Sequence, residues 1–211
     1  MCSIPFALPT NFLLVGPTGC GKSWFVKQMI MAADKMFQPP PARIIYCYSI
    51  WSDDYQELED KVDFRKSIPN MQELTEWWQE NKKETLLIID DFMHSIDKEI
   101  SKLFCVGSRH SHVSVFLTVQ NLFNDNKFLR ECSLNTQCFC LFKNSRSVSQ
   151  IKTLASQMYP TRKEFFLDSY CKAVKNDHGY LLVQLNAKNS QYILRTQIFP
   201  HQDTVIYLPK S

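Results

Sequence analysis

Residues 16–23 of the chain decide the fold, and they read Gly16-Pro17-Thr18-Gly19-Cys20-Gly21-Lys22-Ser23. A glycine, four residues of any type, and then glycine, lysine and serine form the Walker A pattern of a phosphate-binding loop. Glycines let such a backbone wrap around a triphosphate with successive N–H groups pointing inward. All eight residues are therefore predicted to bind ATP, with Lys22 at the β- and γ-phosphates and Ser23 at Mg²⁺.

The residues on both sides of this phosphate loop have the pattern that it requires. Phe12–Val15 is a short apolar run, typical of a buried strand, and residues 23–33 carry apolar side chains at helical spacing. A helix that begins at the loop favours an anion through its unpaired N–H groups and its dipole. A turn that merely contains glycines is the alternative, and the strand–loop–helix context argues against it.

Two carboxylates, Asp90 and Asp91, follow the apolar run Leu86–Ile89, which is the Walker B arrangement. In a parallel sheet, a carboxylate at the carboxyl end of a buried strand lies beside the phosphate loop. We predict that Asp90 holds Mg²⁺, through water, and that Asp91 orients and deprotonates the attacking water. The alternative is that this acidic pair is a turn that caps the next helix.

Gln120 ends another predicted strand, the β-branched and aromatic run Val113–Val119. The end of such a strand can lie near the γ-phosphate when the sheet is ordered around the loop. We predict that the amide of Gln120 acts as a sensor that hydrogen-bonds the γ-phosphate or the lytic water. An ordinary strand-end amide is the alternative.

The composition is ordinary for a globular protein, with 211 residues, 45% of them hydrophobic and 21% charged. A net charge of +3 is too small to indicate nucleic-acid binding by itself. The chain shows no signal-peptide pattern and no apolar run of about 18 residues, which predicts an intracellular protein without a membrane partner. Eight cysteines without zinc-site spacing predict a reducing compartment.

Strands and helices alternate along the chain, which predicts an α/β fold with helices on both faces of a mostly parallel central sheet. With the phosphate loop, this is the three-layer sandwich of a P-loop NTPase. We predict a single domain over residues 1–211. Its core spans about residues 8–160, an extension with a helix and a pair of strands spans about 161–200, and a loose tail spans 201–211.

Four further stretches carry a resemblance to a known family, and they are His112–Phe123, Ser133–Asn135, Leu141–Arg146 and Gln150–Pro160. Together with the phosphate loop and the acidic pair, they resemble the genome-packaging ATPases of Maverick/Polinton elements and adintovirus-like viruses. Those ATPases are related to the poxvirus packaging ATPase within the FtsK/HerA superfamily. The resemblance covers roughly residues 8–160. It implies a RecA/FtsK-like sheet and an ATP-driven motor that moves double-stranded DNA into a preformed capsid.

The resemblance also implies partners. Such motors resemble rings of identical subunits, hexamers or pentamers, with DNA in the central channel, and they work with capsid or portal proteins in the infected host cell, with the nucleus as the implied site. A neighbouring subunit supplies an arginine to the γ-phosphate, which is worth about 10³–10⁵ in rate. Arg109 is the first candidate for this arginine, and Arg130 and Arg146 are the others; solvated surface arginines are the alternative.

Two features depart from the superfamily pattern. Asp91 stands where much of the superfamily has glutamate, and the absence of an added DNA-reading domain predicts that sequence-specific loading needs a partner protein.

Several cations interleaved with tryptophans are candidates for DNA contact or else form a solvated helix face: Lys61, Arg65, Lys66, Lys82 and Lys83, with Trp51, Trp77 and Trp78. The alternative functions are a nucleotide kinase, another DNA translocase of this superfamily, and a nucleotide-gated assembly switch.

Overall fold

The computed structural model describes residues 4–92, 96–123, 125–186 and 193–209, and the side chain of Arg109 lies outside that description. The strands are β1 (Phe6–Ala7), β2 (Phe12–Val15), β3 (Phe37–Gln38), β4 (Arg43–Tyr48), β5 (Asp63–Arg65), β6 (Thr85–Asp90), β7 (Val113–Val119), β8 (Cys138–Phe142), β9 (Tyr180–Gln184), β10 (Leu194–Thr196) and β11 (Val205–Ile206). The helices are α1 (Lys22–Met31), α2 (Ala33–Met36), α3 (Met71–Asn81), α4 (Lys98–Lys102), α5 (Ser108–His110), α6 (Lys127–Leu134), α7 (Val148–Met158) and α8 (Lys163–Ala173). A 3₁₀ helix spans Asp53–Leu58, and a π-helical turn, Leu103–Gly107, joins α4 to α5.

Within the described ranges, nine strands form one sheet in the order β11-β10-β9-β8-β2-β7-β6-β4-β5. The six strands from β8 to β5 run parallel, whereas β9, β10 and β11 add an antiparallel side. The predicted α/β fold with a mostly parallel central sheet is confirmed. Because β2 lies between β7 and β8, the loop that follows β2 leaves the middle of the sheet.

The central strands are apolar along their whole length because both faces of the sheet are covered. Alternate residues of β2 belong to different cores, Leu13 and Val15 to one and Phe12 and Leu14 to the other, as the two-residue period of a strand requires. The first core packs against α3, α4, α6, α7 and α8, and the second packs against α1 and α2. The molecule therefore has three layers, with the sheet in the middle.

Most predicted elements lie where the sequence placed them, and two regions differ. Between α4 and α5 the regular α-helix is interrupted by the π-helical turn at Leu103–Gly107. The loose tail predicted from residue 201 contains β11, which pairs with β10 through Arg195↔Ile206 and Thr196↔Val205. This pairing gives partners to backbone groups that β10 would otherwise expose at its edge. Residues 187–192 of the predicted extension lie outside the described residues.

Candidate functional site

The phosphate loop has the backbone that its glycines predict. Gly19 and Gly21 have φ angles of +78° and +105°, in the region where side chains are strained. The N–H of Gly16 donates to the carbonyl of Val119 over 3.1 Å, which fixes the start of the loop to the end of β7. A Cβ atom on Gly16 would lie 2.6 Å from the Sγ of Cys20, so this position is closed to larger residues. Burial raises the pKa of that Cys20 thiol, so the thiol stays protonated at neutral pH.

The Lys22 side chain, at the first residue of α1, folds back over the loop. Its Nζ donates to the carbonyls of Gly16, over 2.6 Å, and Pro17, over 2.9 Å. An ammonium group has three donors, so one N–H is left for an anion in the loop. The first turn of α1 contains no acidic residue that would oppose the positive end of the helix. Loop, lysine and helix start together make an anion-binding site.

Asp90 is the last residue of β6 and is 6% exposed. Its carboxylate accepts three hydrogen bonds, which come from the hydroxyls of Tyr46 (2.6 Å), Thr118 (2.7 Å) and Ser23 (3.3 Å). A carboxylate has about four lone-pair positions, so these donors fix its orientation and leave room for one further contact. Asp90 therefore lies directly beside Ser23, as the predicted metal site requires.

Tyr46 and Thr118 were missed by the sequence reasoning. Burial, together with the nearby carboxylate of Asp90, raises the pKa of the Tyr46 hydroxyl, so it remains a donor at neutral pH. Thr118 has a second role, because its Oγ1 also accepts the N–H of Asp91 over 3.1 Å. One signal was available: a tyrosine within the apolar run of β4 must find a partner for its hydroxyl when it is buried.

Asp91 differs from its neighbour in exposure and in backbone. Its side chain is exposed, and its φ angle of +60° places it in the left-handed region. Aspartate tolerates this region better than most residues, and such strained positions cluster at functional sites.

The predicted catalytic and metal-binding residues border one cavity of about 360 Å³, apart from Arg109. Its wall includes Thr18, Gly19, Gly21, Lys22, Ser23, Asp90, Asp91, Thr118 and Gln120. Pro17 and Cys20 border a neighbouring cavity on the far side of the loop, and Gly16 lies beneath Lys22. Cationic and N–H donors on one side and carboxylates on the other suit a triphosphate with Mg²⁺, since Mg²⁺ takes oxygen ligands.

The three candidate arginines lie in different places. The backbone of Arg109, in α5, precedes β7 and therefore lies at the amino end of the sheet, opposite Gln120. Arg130 is exposed on α6. Arg146 borders the second cavity beside its own phosphate loop. The side chain of Arg109 lies outside the described residues, so its role stays a prediction.

The candidate cations and tryptophans between β4 and β6 divide into side chains with partners in the molecule and exposed lysines. Arg65 is held by Asp63, at 2.7 Å, and by Glu73, at 2.6 Å. The Trp77 ring lies under the Arg43 guanidinium, and Trp78 stacks on His112 with ring centroids 3.6 Å apart. The lysines Lys61, Lys66, Lys82 and Lys83 are exposed.

One family model matches the part of the chain that contains most of the candidate site. The family model described as RNA helicase matches residues 12–128. This range contains the phosphate loop, the acidic pair and Gln120. Comparison with curated proteins gives no match.

Solved structures share the fold. The chain is similar to the genome packaging NTPase B204 from Sulfolobus turreted icosahedral virus 2 in complex with ATP-gammaS, with a TM-score of 0.56 and 16% identity over 96% of this chain and 98% of that one. It is also similar to B204, the DNA-packaging ATPase from Sulfolobus turreted icosahedral virus, with a TM-score of 0.56 and 15% identity over the same shares of the two chains. The cytoplasmic domain of the Thermomonospora curvata type VII secretion ATPase EccC matches 93% of this chain with 25% of its own length, at a TM-score of 0.56 and 12% identity.

Among the residues that the structure describes, none of the helices combines the length and the hydrophobicity that crossing a bilayer requires.

The family match covers more than half of the sequence, and the fold and the phosphate loop agree with it. The chain therefore belongs to the RNA helicase family, and it is a P-loop nucleoside triphosphatase with the fold of the viral genome-packaging ATPases to which it is similar.

Proposed function

We propose that this protein is an ATP-hydrolysing motor that moves double-stranded DNA into a viral capsid, as a ring of identical subunits that works with capsid or portal proteins. The observation that carries the proposal is the single cavity in which the phosphate loop, the acidic pair and Gln120 meet. The fold likeness to two viral packaging enzymes over nearly their whole length supports it. Those relatives are packaging enzymes by their own description, and one is in complex with an ATP analogue.

Within this proposal each residue has a separate task. Lys22 and the N–H groups of the phosphate loop bind the β- and γ-phosphates, and their positive charge stabilises the transition state. Asp91 is exposed in the cavity and takes the proton of the attacking water. Gln120 orients that water or the γ-phosphate. These tasks divide binding, proton transfer and positioning among residues that three different strand ends supply.

Ser23 and Asp90 would hold Mg²⁺ in this site. The 3.3 Å between Ser23 Oγ and Asp90 Oδ2 brings the two oxygen ligands together. When bound, Mg²⁺ neutralises charge on the β- and γ-phosphate oxygens. The hydrogen bonds that Asp90 already accepts favour a contact through water, because little of its lone-pair capacity is left.

The ring accounts for the position of Arg109. Its backbone lies before β7, whereas its own nucleotide cavity lies beyond the other end of that strand. The seven residues of β7 span roughly 23 Å at about 3.3 Å per residue, which is longer than an arginine side chain. Arg109 is therefore proposed to serve the γ-phosphate of the neighbouring subunit.

Duplex DNA is expected to stimulate ATP hydrolysis by this protein. Phosphate release is measured with and without duplexes of several unrelated sequences, and the stimulation should be similar for all of them. It should weaken as salt rises, because contacts to DNA phosphates release counterions. Absence of any stimulation would contradict the motor.

The family match supplies a second candidate, the unwinding or translocation of RNA. The same assay with duplex and single-stranded RNA distinguishes the two, and stimulation by RNA alone would favour the second candidate. Phosphate transfer to a nucleoside monophosphate would favour a kinase. ATP-dependent assembly without stimulated turnover would favour a nucleotide-gated switch.

Replacement of Tyr46 by phenylalanine is expected to raise the Mg²⁺ concentration needed for half-maximal hydrolysis by about tenfold, since partners that orient metal ligands typically contribute 10- to 100-fold to metal affinity. The substitution removes the 2.6 Å hydrogen bond to Asp90 and keeps the ring in its aromatic surroundings. Tyr48→Phe is the matched control, because the Tyr48 ring packs against Tyr55 and Phe64 in the same aromatic cluster and lies outside the wall of the first cavity. An equal shift in both variants would contradict a specific role of Tyr46.

A further inference from the structure

The second cavity, on the far side of the phosphate loop, has a volume of about 750 Å³. It shares with the first cavity the residues Thr18, Gly19, Gln120 and His178. The rest of its wall comes from the loop residues Pro17 and Cys20 and from two turns, residues 143–146 after β8 and residues 176–179 before β9. Since β8 and β9 lie on one side of β2 and β6 and β7 on the other, the two cavities flank the loop.

A triphosphate gripped by this loop must extend its nucleoside to one side. The first cavity holds the acidic pair, whose negative charge suits a metal ion and an attacking water. The second cavity holds Lys143, Arg146 and one carboxylate, Asp177, so its side chains have a positive net charge that suits the remaining phosphate of a nucleotide. Its volume lies in the range of small-molecule sites, which is about 300–1,000 Å³. Charge and space therefore direct the nucleoside to the second cavity.

His178 lies between the two cavities in a strained backbone. Its φ angle is +55°, which is uncommon for a residue other than glycine and is found preferentially at functional sites. Its side chain covers the phosphate loop so closely that a Cβ on Gly21 would lie 3.0 Å from the Cβ of His178. The Trp24 ring supports the imidazole, with centroids 5.7 Å apart and planes 33° apart. Among the described residues that border the second cavity, His178 has the only aromatic ring.

We propose that the second cavity binds the nucleoside of the triphosphate, that the base stacks on the His178 imidazole, and that the hydrogen-bonding edge of the base is not read. The assignment rests on the proposed function only in so far as the phosphate loop binds a nucleoside triphosphate. It does not depend on what the hydrolysis drives. The substrate class that follows is any nucleoside triphosphate, with ATP as one member.

The exposure of the cavity wall is the reason why the base goes unread. Lys143, Ser145, Arg146, Asn176 and Asp177 are all exposed. A site discriminates strongly between bases when a wrong base leaves buried polar groups unpaired, whereas exposed groups regain water. Asn144 is buried, but its Oδ1 already accepts the N–H groups of residues 146 and 147.

Two turns of the nucleoside wall come from a later part of the chain than the residues of the phosphate wall. The match to the RNA helicase family model ends at residue 128, and both turns of the second cavity follow it. The residues that would hold the phosphates lie inside the matched range. Nucleoside recognition would then be a property of the C-terminal part of this chain.

The test compares nucleotides with a ligand that lacks a nucleoside. Equilibrium binding of ATP, GTP, CTP, UTP and inorganic tripolyphosphate, each with Mg²⁺, is measured for the wild type, His178→Asn and His178→Phe. Asparagine adopts the left-handed region readily, so His178→Asn removes the ring and keeps the turn. We expect about tenfold weaker ATP binding by His178→Asn, the size of one stacking contact, with unchanged tripolyphosphate binding. His178→Phe, which keeps a ring at this position, should bind ATP about as tightly as the wild type. The wild type should bind the four nucleotides with affinities within about tenfold of each other.

Three results would overturn the proposal. Equal weakening of ATP and tripolyphosphate in His178→Asn would show that the residue supports the loop and contacts no base. Failure of His178→Phe to restore ATP binding, with tripolyphosphate binding intact, would exclude stacking. A preference of the wild type for one base by about a hundredfold or more would show that the edge is read. Nucleotide binding that depends on the ring at position 178, in a protein that DNA does not stimulate, would support this site and contradict the motor.

Discussion

Replacement of Lys22 by alanine is expected to reduce ATP hydrolysis by at least about 100-fold, the typical loss when one preorganised donor to a developing charge is removed. The substitution deletes the ammonium group that lies over the loop on the carbonyls of Gly16 and Pro17. It leaves the N–H groups of the loop and the start of α1 in place, so phosphate binding should weaken while the fold persists. Phosphate release and nucleotide binding are the two measurements.

Lys27→Ala is the matched control for this variant. Lys27 lies on the same helix, and its ammonium pairs with Glu57 over 2.8 Å, away from the wall of the first cavity. Hydrolysis by this control should be close to that of the wild type, since partly exposed ion pairs contribute little to stability. Unchanged turnover in Lys22→Ala would mean that the nucleotide site is wrongly assigned.

Replacement of Asp91 by asparagine is expected to lower turnover by about 100- to 10,000-fold, the range that a positioned general base contributes. Asparagine keeps the size of the side chain and, like aspartate, tolerates the φ angle of +60° found here. The N–H that donates to Thr118 also remains. The variant should therefore bind nucleotide normally and fail at the chemical step, which single-turnover kinetics measure directly.

Asp97→Asn is the control for the loss of a negative charge six residues beyond Asp91 in the sequence. Asp97 caps α4 by accepting the N–H groups of Glu99 and Ile100, and asparagine caps a helix equally well. Turnover in this control should be unaffected. If turnover in Asp91→Asn falls no more than in Asp97→Asn, another residue must be the general base. A large loss would also show that aspartate can act as the base at a position where much of the superfamily has glutamate.

The predicted and observed sites agree best where the chemistry is local. The phosphate loop depends on glycine spacing and on the helix that follows it, and both are visible within residues 12–33. The acidic pair is visible in the sequence because two charged residues end an apolar run at the end of a strand. The cations and tryptophans between β4 and β6 gave no such signal, because the same residues suit a DNA contact and a solvated helix face. The structure adds that Arg65 pairs with Asp63 and Glu73.

The sequence by itself determined the α/β fold, the phosphate loop, the acidic pair and the place of Gln120 at a strand end, because each follows from a short pattern with its own physical cause. The tertiary structure alone decided that Tyr46 and Thr118 hold Asp90, although they lie 44 and 28 residues from it, and that the turn at His178 covers the loop. These contacts depend on which strands are neighbours in the sheet. Strand order results from packing across the whole domain, and no local stretch of sequence contains it.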